Sequence, residues 1–236
     1  NNFNVRNGGQ HVGSDKLQDA FIGRLIADTD ADNMAWQPFL VFLNGEFWGL
    51  YGAREKFDEH YVEDNHGVPS ENVDLMNSFN LLAGSQAHWN ETTNTLMNMS
   101  PTGGEFYPEL NSRVDIKNYI DYFAIETYIA NTDWMGIAWG ANNIKLWHPQ
   151  EEGGKWRYML YDTDGSLGYF GGQVWDNYLN FARNPAVESA HSELFDHVLY
   201  NPEFMHQFVN RYADLMNTIF EPTQFNATLE ETQGFI

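Results

Sequence analysis

Apolar residues recur along this chain with two periods, and the switches between them mark out the elements. Between 14 and 28, Leu17, Phe21 and Leu25 stand at i, i+4 and i+8, the spacing of one helix face, with Ser14 ahead of them as an N-cap. Two β-rich runs, Pro38-Phe-Leu-Val-Phe-Leu43 and Glu46-Phe-Trp-Gly-Leu-Tyr51, then flank Asn44-Gly45. That pair tolerates the positive φ of a type I′ turn, so a β-hairpin is predicted. Helical spacing returns over 54–65, with Phe57, Tyr61 and Val62 on one face, and 73–76 reads as a short strand. Residues 78–113 are polar and broken by Pro101, Gly103, Gly104 and Pro108, with one helix expected near 86–98. The strongest helical pattern covers 115–130, where Ile116, Tyr119, Ile120, Phe123, Ala124 and Tyr128 trace a buried face. A second hairpin is expected from 141–148 and 155–162, joined by Glu151-Glu-Gly-Gly154 and ending in Asp162-Thr-Asp164-Gly165. Helices over 189–200 and 202–219, split by Asn201-Pro202, complete a mixed α+β order without repeat or linker.

Composition narrows the function. The 236 residues carry 12 Lys+Arg against 33 Asp+Glu, a formal charge of −21. Such a field repels nucleic acid and anionic lipid, and no apolar run approaches the ~20 residues of a membrane span. The 17 Phe, 8 Trp and 12 Tyr are incompatible with a disordered acidic tail. No Cys is present, so disulfides, thiolate metal sites and Cys nucleophiles are excluded. An acidic, Asn-rich, Cys-free chain suits an extracellular or cell-surface setting. The opening Asn1-Asn2-Phe3-Asn4 reads as the middle of a longer chain, so a single domain over 1–236 within a larger protein is expected.

The stretch 115–165 holds the chemistry. A helix is followed by Asp133, then Asn142-Asn143, a strand, a turn, a strand and Asp162-x-Asp164-Gly165. Protein kinases use this order: an Asp after a helix receives the substrate hydroxyl proton, and an Asn and a second Asp hold the metal. Phosphoryl transfer places negative charge on oxygens, which hard cations on carboxylate and amide ligands neutralise. The spacings are looser than the kinase pattern, and neither His-Arg-Asp nor Asp-Phe-Gly is present. The same acids are also common as turn formers.

Several segments together resemble the CotH family of spore-coat kinases and their relatives in secreted bacterial proteins. They are Arg6-Asn-Gly-Gly, Phe42-Leu-Asn-Gly-Glu-Phe-Trp-Gly-Leu-Tyr51, Arg54-Glu-Lys-Phe-Asp58, Tyr122-Phe-Ala-Ile-Glu126, Asn131-Thr-Asp-Trp134, Asn142-Asn-Ile-Lys-Leu-Trp147, Lys155-Trp-Arg-Tyr-Met-Leu-Tyr-Asp-Thr-Asp164 and Asn201-Pro-Glu-Phe204. The resemblance implies an atypical protein-kinase-like fold, ATP with Mg or Mn, and phosphate transfer to Ser or Thr of a secreted or surface protein. It implies Asp133 as catalytic acid–base group, Asn143 and Asp162 as metal ligands with Asp164 in reserve, and Arg6 and Glu55 on the nucleotide side. Family members usually carry a Pro-Lys-Lys-Ser-Tyr-like segment upstream of Arg6, which this sequence lacks, so part of an N-terminal lobe is expected to be missing. Two alternatives stand beside the kinase: an inert CotH-like module for surface adhesion or assembly, and a carbohydrate-active enzyme using Asp133 and Asp162 as paired carboxylates.

Other features have plainer readings. Gly8, Gly9 and Gly13 before a helix could cradle an anion, but a turn and cap is the expectation. Asp15, Asp19, Asp28, Asp30 and Asp32 form no calcium loop and are expected as a solvated acidic face. The eight His lack zinc spacing and are expected at the surface, and Trp134, Trp139, Trp147 and Trp156 are expected to pack in the core.

Overall fold

The computed structural model describes residues 3–13 and 16–236. Its elements, in chain order, are β1 (Phe3–Arg6), α1 (Gln18–Leu25), β2 (Trp36–Leu43), β3 (Glu46–Glu55), α2 (Glu59–His66), β4 (Val73–Asn77), β5 (Asn80–Ala83), α3 (Ala87–Met97), α4 (Phe106–Arg113), α5 (Ile116–Tyr128), β6 (Lys145–Pro149), β7 (Arg157–Met159), α6 (Tyr178–Arg183), α7 (Ala190–Leu199), α8 (Pro202–Met216) and α9 (Pro222–Gln233). Among the described residues the strands form two antiparallel sheets, ordered β1-β3-β2 and β5-β4-β6-β7. The mixed α+β class expected from the sequence is what the chain adopts.

The Asn44-Gly45 hairpin forms as predicted. Both residues take positive φ, 52° and 86°, and Leu43 faces Glu46 across the turn. The second hairpin also forms, in the other sheet, with Lys145 opposite Met159, but its strands are shorter than expected. Asn143, just before β6, and Asp162, just beyond β7, lie at φ 55° and 56°, a left-handed conformation that breaks off strand geometry. Asn and Asp are the side chains that best tolerate it.

The four-stranded sheet is covered on both faces, so its side chains divide by alternation. Met76, Leu146 and Tyr158 join the large core around α5, whereas Leu75, Trp147 and Met159 join a smaller core with Phe57, Tyr61 and Val62 of the α2 region. Helix α5 is buried on nearly every side, which places a rigid element directly before Asp133.

Several boundaries differ from expectation for identifiable reasons. Ser14 lies outside the described residues, and α1 begins at Gln18 with Leu17 in the N-cap position. The helix expected over 54–65 starts only at Glu59, because Arg54 and Glu55 continue β3 and the Asp58 carboxylate accepts the N–H groups of His60 and Tyr61. Within 78–113, β5 and α4 accompany the expected helix. Pro108 does not break α4, since it falls in the first turn, where its missing N–H has no helical partner to lose.

Candidate active site

Helix α5 ends where Ala130 turns to φ 57°, and the chain enters the turn that carries Asp133. Asn131, fully buried, accepts the Asp133 N–H on its side-chain oxygen at 3.2 Å. Asn143 donates from Nδ2 to the Asp133 carbonyl at 2.8 Å and to its carboxylate Oδ2 at 3.2 Å. Asn142 reaches the other oxygen at 3.4 Å. Partial burial pushes the Asp133 carboxyl above the ordinary range and the charge of Asp162 adds to this, while the two amides oppose it. Asp133 thus feels the charge of Asp162 but is held by neutral groups. It opens into a cleft lined by Ser78, Phe79, Asn80, Asn142 and Asn143.

The second acid cluster is built differently. Asp162 precedes a tight turn over Thr163–Gly165 and Asp164 sits within it, and Asp19 reaches it from the first turn of α1. Ligand oxygens of Asp19, Asp162 and Asp164 all lie within 4.8 Å of one another. Arg6 spans the three, with Nη1 2.8 Å from Asp19 and Nη2 3.0 Å from Asp162 and also paired with Asp164. Arg54 adds a second contact to Asp19 at 2.7 Å. The other Asp19 oxygen accepts the Thr163 N–H and hydroxyl at 2.9 and 2.8 Å, locking α1 to the turn. Asp164 also accepts the Gln10 N–H at 2.9 Å. Burial, with Asp19 and Asp162 adding, pushes its carboxyl up to about 6, against the pull of Gln10 and Arg6. Gly9 makes this approach possible: a Cβ there would lie 2.1 Å from both Arg6 and Asp164. The glycine-containing turn near the N-terminus therefore presents the Gln10 backbone N–H to the protein's own carboxylate.

Three crowded carboxylates, one of them reluctant to ionise, fit a hard divalent cation bound through oxygen. Asp162, expected in this role, is in the cluster, as is Asp164. Asp19 was expected on a solvated acidic face, and nothing in its local sequence set it apart from the neighbouring aspartates. Asn143 was expected to share a cation with Asp162. Its amide nitrogen goes to Asp133, and its side-chain oxygen Oδ1 is an atom of the kind that a metal takes.

Arg6 and Glu55 part company. Arg6 is the hub of the acid cluster, whereas Glu55 accepts the Ala35 N–H at 2.8 Å and the Asn65 amide at 3.3 Å, tying the entry of β2 to α2. An unforeseen cation is Lys145 of β6. Its Nζ donates to the Phe57 carbonyl at 3.2 Å and lies 4.1 Å from the Tyr161 ring centroid. Burial, reinforced by Arg54 and Lys56, pushes the amine down to about 8.

Other expectations need correction. The aspartates are not simply a solvated face: Asp32 is buried and accepts Trp147 Nε1 at 2.7 Å and Arg157 Nη2 at 2.7 Å. His11, His148 and His191 are buried rather than superficial. Trp134, Trp147 and Trp156 pack in the core, but Trp139 is exposed and meets Phe170 edge-on at 4.7 Å. Among the described residues no helix is long and apolar enough to cross a membrane.

With this geometry in view, comparison with known proteins gives one family match: the model for CotH kinase protein aligns with residues 13–236. No curated protein matches the chain.

Proposed function

The chain belongs to the CotH kinase protein family, and on that premise we propose that it transfers phosphate from ATP to a Ser or Thr hydroxyl of a secreted or surface protein. Membership in a kinase family implies ATP as donor, and the acid cluster of Asp19, Asp162 and Asp164 suits a divalent ion. The observation that carries the reading is the division of labour between two acid groups on adjoining turns, joined by the Thr132 N–H bond to the Gly165 carbonyl. Asp133 is held only by neutral amides and the Asn131 oxygen, with its carboxyl raised, as suits a group that receives a proton. Asp162 and Asp164 converge with Asp19 around a cation, here Arg6.

Asp133 would accept the proton of a hydroxyl entering the cleft beside Ser78 and Asn142, and Asn143 would hold that carboxylate in aim. Mg or Mn on the opposite acids, when bound, would neutralise charge on the phosphate oxygens. Arg54 and Lys145 supply positive charge near Asp162 on a strongly acidic chain. The acidic, Cys-free composition supports an extracellular or cell-surface location. A measurement of ATP binding with Mn²⁺, together with transfer of labelled γ-phosphate to a Ser/Thr-containing acceptor protein, tests this reading. Both are expected in the intact protein. Failure of the wild type to bind ATP would overturn the kinase reading in favour of an inert adhesion or assembly module.

A further inference from the structure

We propose that Glu126 of α5 is a positioning residue for Asp133, acting through the side-chain amide of Asn131. Glu126 is fully buried. Its Oε2 accepts from Asn131 Nδ2 at 3.0 Å, while Oε1 has no hydrogen-bond partner. A carboxyl group in that situation is a net cost to the fold, because one oxygen leaves water and gains nothing. Burial pushes it up to about 8, with the Asp19 charge adding and the Asn131 amide opposing. An apolar residue of the same size would pack there without that cost, so the acid is explained by what it does to its neighbour.

What it does is fix which way the Asn131 amide points. Asn131 has one oxygen and one nitrogen to distribute between two partners. With Nδ2 given to Glu126, Oδ1 necessarily faces the Asp133 N–H, and that bond is present at 3.2 Å. If the amide were reversed, Nδ2 would meet the Asp133 N–H donor to donor, and the bond that fixes the turn would be lost. The same side chain contacts the acid cluster's turn: a Cβ on Gly165 would lie 3.0 Å from Asn131 Oδ1, and Thr132 donates its N–H to the Gly165 carbonyl at 3.1 Å. Glu126 therefore sits behind the point where the Asp133 turn rests on the Asp162–Gly165 turn. A group that orients a backbone behind the reacting carboxylate affects turnover by placement, and errors near 1 Å cost on the order of 10²-fold.

The role given to Asp133 rests on the kinase reading, but the orientation of Asn131 does not, and the two are tested separately. Glu126→Gln keeps an acceptor for Asn131 Nδ2 without an ionisable group. Glu126→Leu removes the acceptor and fills the space. In the full chain, Glu126→Leu is expected to melt no lower than wild type, to keep ATP affinity, and to lose kcat by on the order of 10²-fold. Glu126→Gln is expected to stay within about threefold of wild type, because the hydrogen-bond pattern survives. Hydrogen exchange at the Asp133 amide supplies a readout independent of activity: faster in Glu126→Leu, unchanged in Glu126→Gln. Wild-type exchange and kcat in Glu126→Leu would overturn the proposal. An inactive wild type in which Glu126→Leu still speeds Asp133 exchange would leave the positioning intact and refute the kinase reading instead.

Discussion

The two acid groups of the site solve opposite problems with the same residue type. Asp133 stands among amides, and its carboxyl rises because it is partly buried and lies in the field of Asp162. Asp162 and Asp164, on a turn the Asp133 turn rests against, are crowded with Asp19 and offset by Arg6, with Arg54 adding a contact to Asp19. Neutral support leaves a carboxylate free to take up a proton, whereas crowding three carboxylates together makes a site that a shared cation relieves. Position in sequence does not separate these roles; the immediate partners do.

The largest expected effects test that division directly. Asp133→Asn should lower transfer by roughly 10³-fold or more while leaving ATP affinity nearly unchanged, because the amide keeps the shape and loses the proton acceptor. Asp162→Asn should lower transfer comparably and also weaken Mn²⁺ binding. Labelled-ATP transfer with equilibrium metal and nucleotide binding distinguishes the two, and identical binding defects would erase the comparison.

Next in size is an acid sensitivity confined to the neutral side. His191, fully buried, bonds the carbonyl of Ser78, which lines the Asp133 cleft. Burial pushes the imidazole down to about 4. The folded pKa is depressed, so an unfolded chain binds the proton first, and stability is present above about 6.5 and lost as pH falls toward 4. The loss should reach roughly 3 kcal/mol by pH 4. Urea unfolding at pH 7 and pH 5 should show a clearly smaller pH difference in His191→Gln.

On the charged side, Arg6→Gln should destabilise the protein by about 2 kcal/mol, since it strands Asp162 and Asp164 and leaves Asp19 with Arg54 alone. Mn²⁺ should restore most of the lost melting temperature by supplying the missing charge. Asp133→Asn should show no extra dependence of melting temperature on Mn²⁺. The smallest contrast lies between the two amides. Asn143→Ala forfeits two bonds to Asp133 and should cost about tenfold in kcat. Asn142→Ala forfeits a single exposed contact at 3.4 Å and should cost about twofold or less.

Local rules carried a good part of this structure. Asn44-Gly45 specified its turn because both residues accept positive φ without help from afar. The apolar face of 115–130 specified α5, and the order helix, Asp133, Asn143, hairpin, Asp162 survived folding nearly unchanged. The motif segments indicated the family that the match over 13–236 establishes. The supports of the site were not legible in this way. Asp19 looked like one more surface acid until α1 brought it to Thr163, 144 positions later. The pattern marked His191 as superficial, yet it lies under Ser78, because burial depends on which elements cover a residue and not on its type.

The sequence by itself determined where the chain turns, which helix leads into the site, and which acids could take part. Those are choices set by backbone preference and side-chain period within a few residues. Only the tertiary structure decided that Arg6 unites Asp19, Asp162 and Asp164, that Asn143 turns its nitrogen to Asp133, and that a buried Glu126 stands behind Asn131. The physical reason is that charge and desolvation act through space. A carboxylate's role depends on what lies within a few ångströms of it, and chain order does not encode that distance.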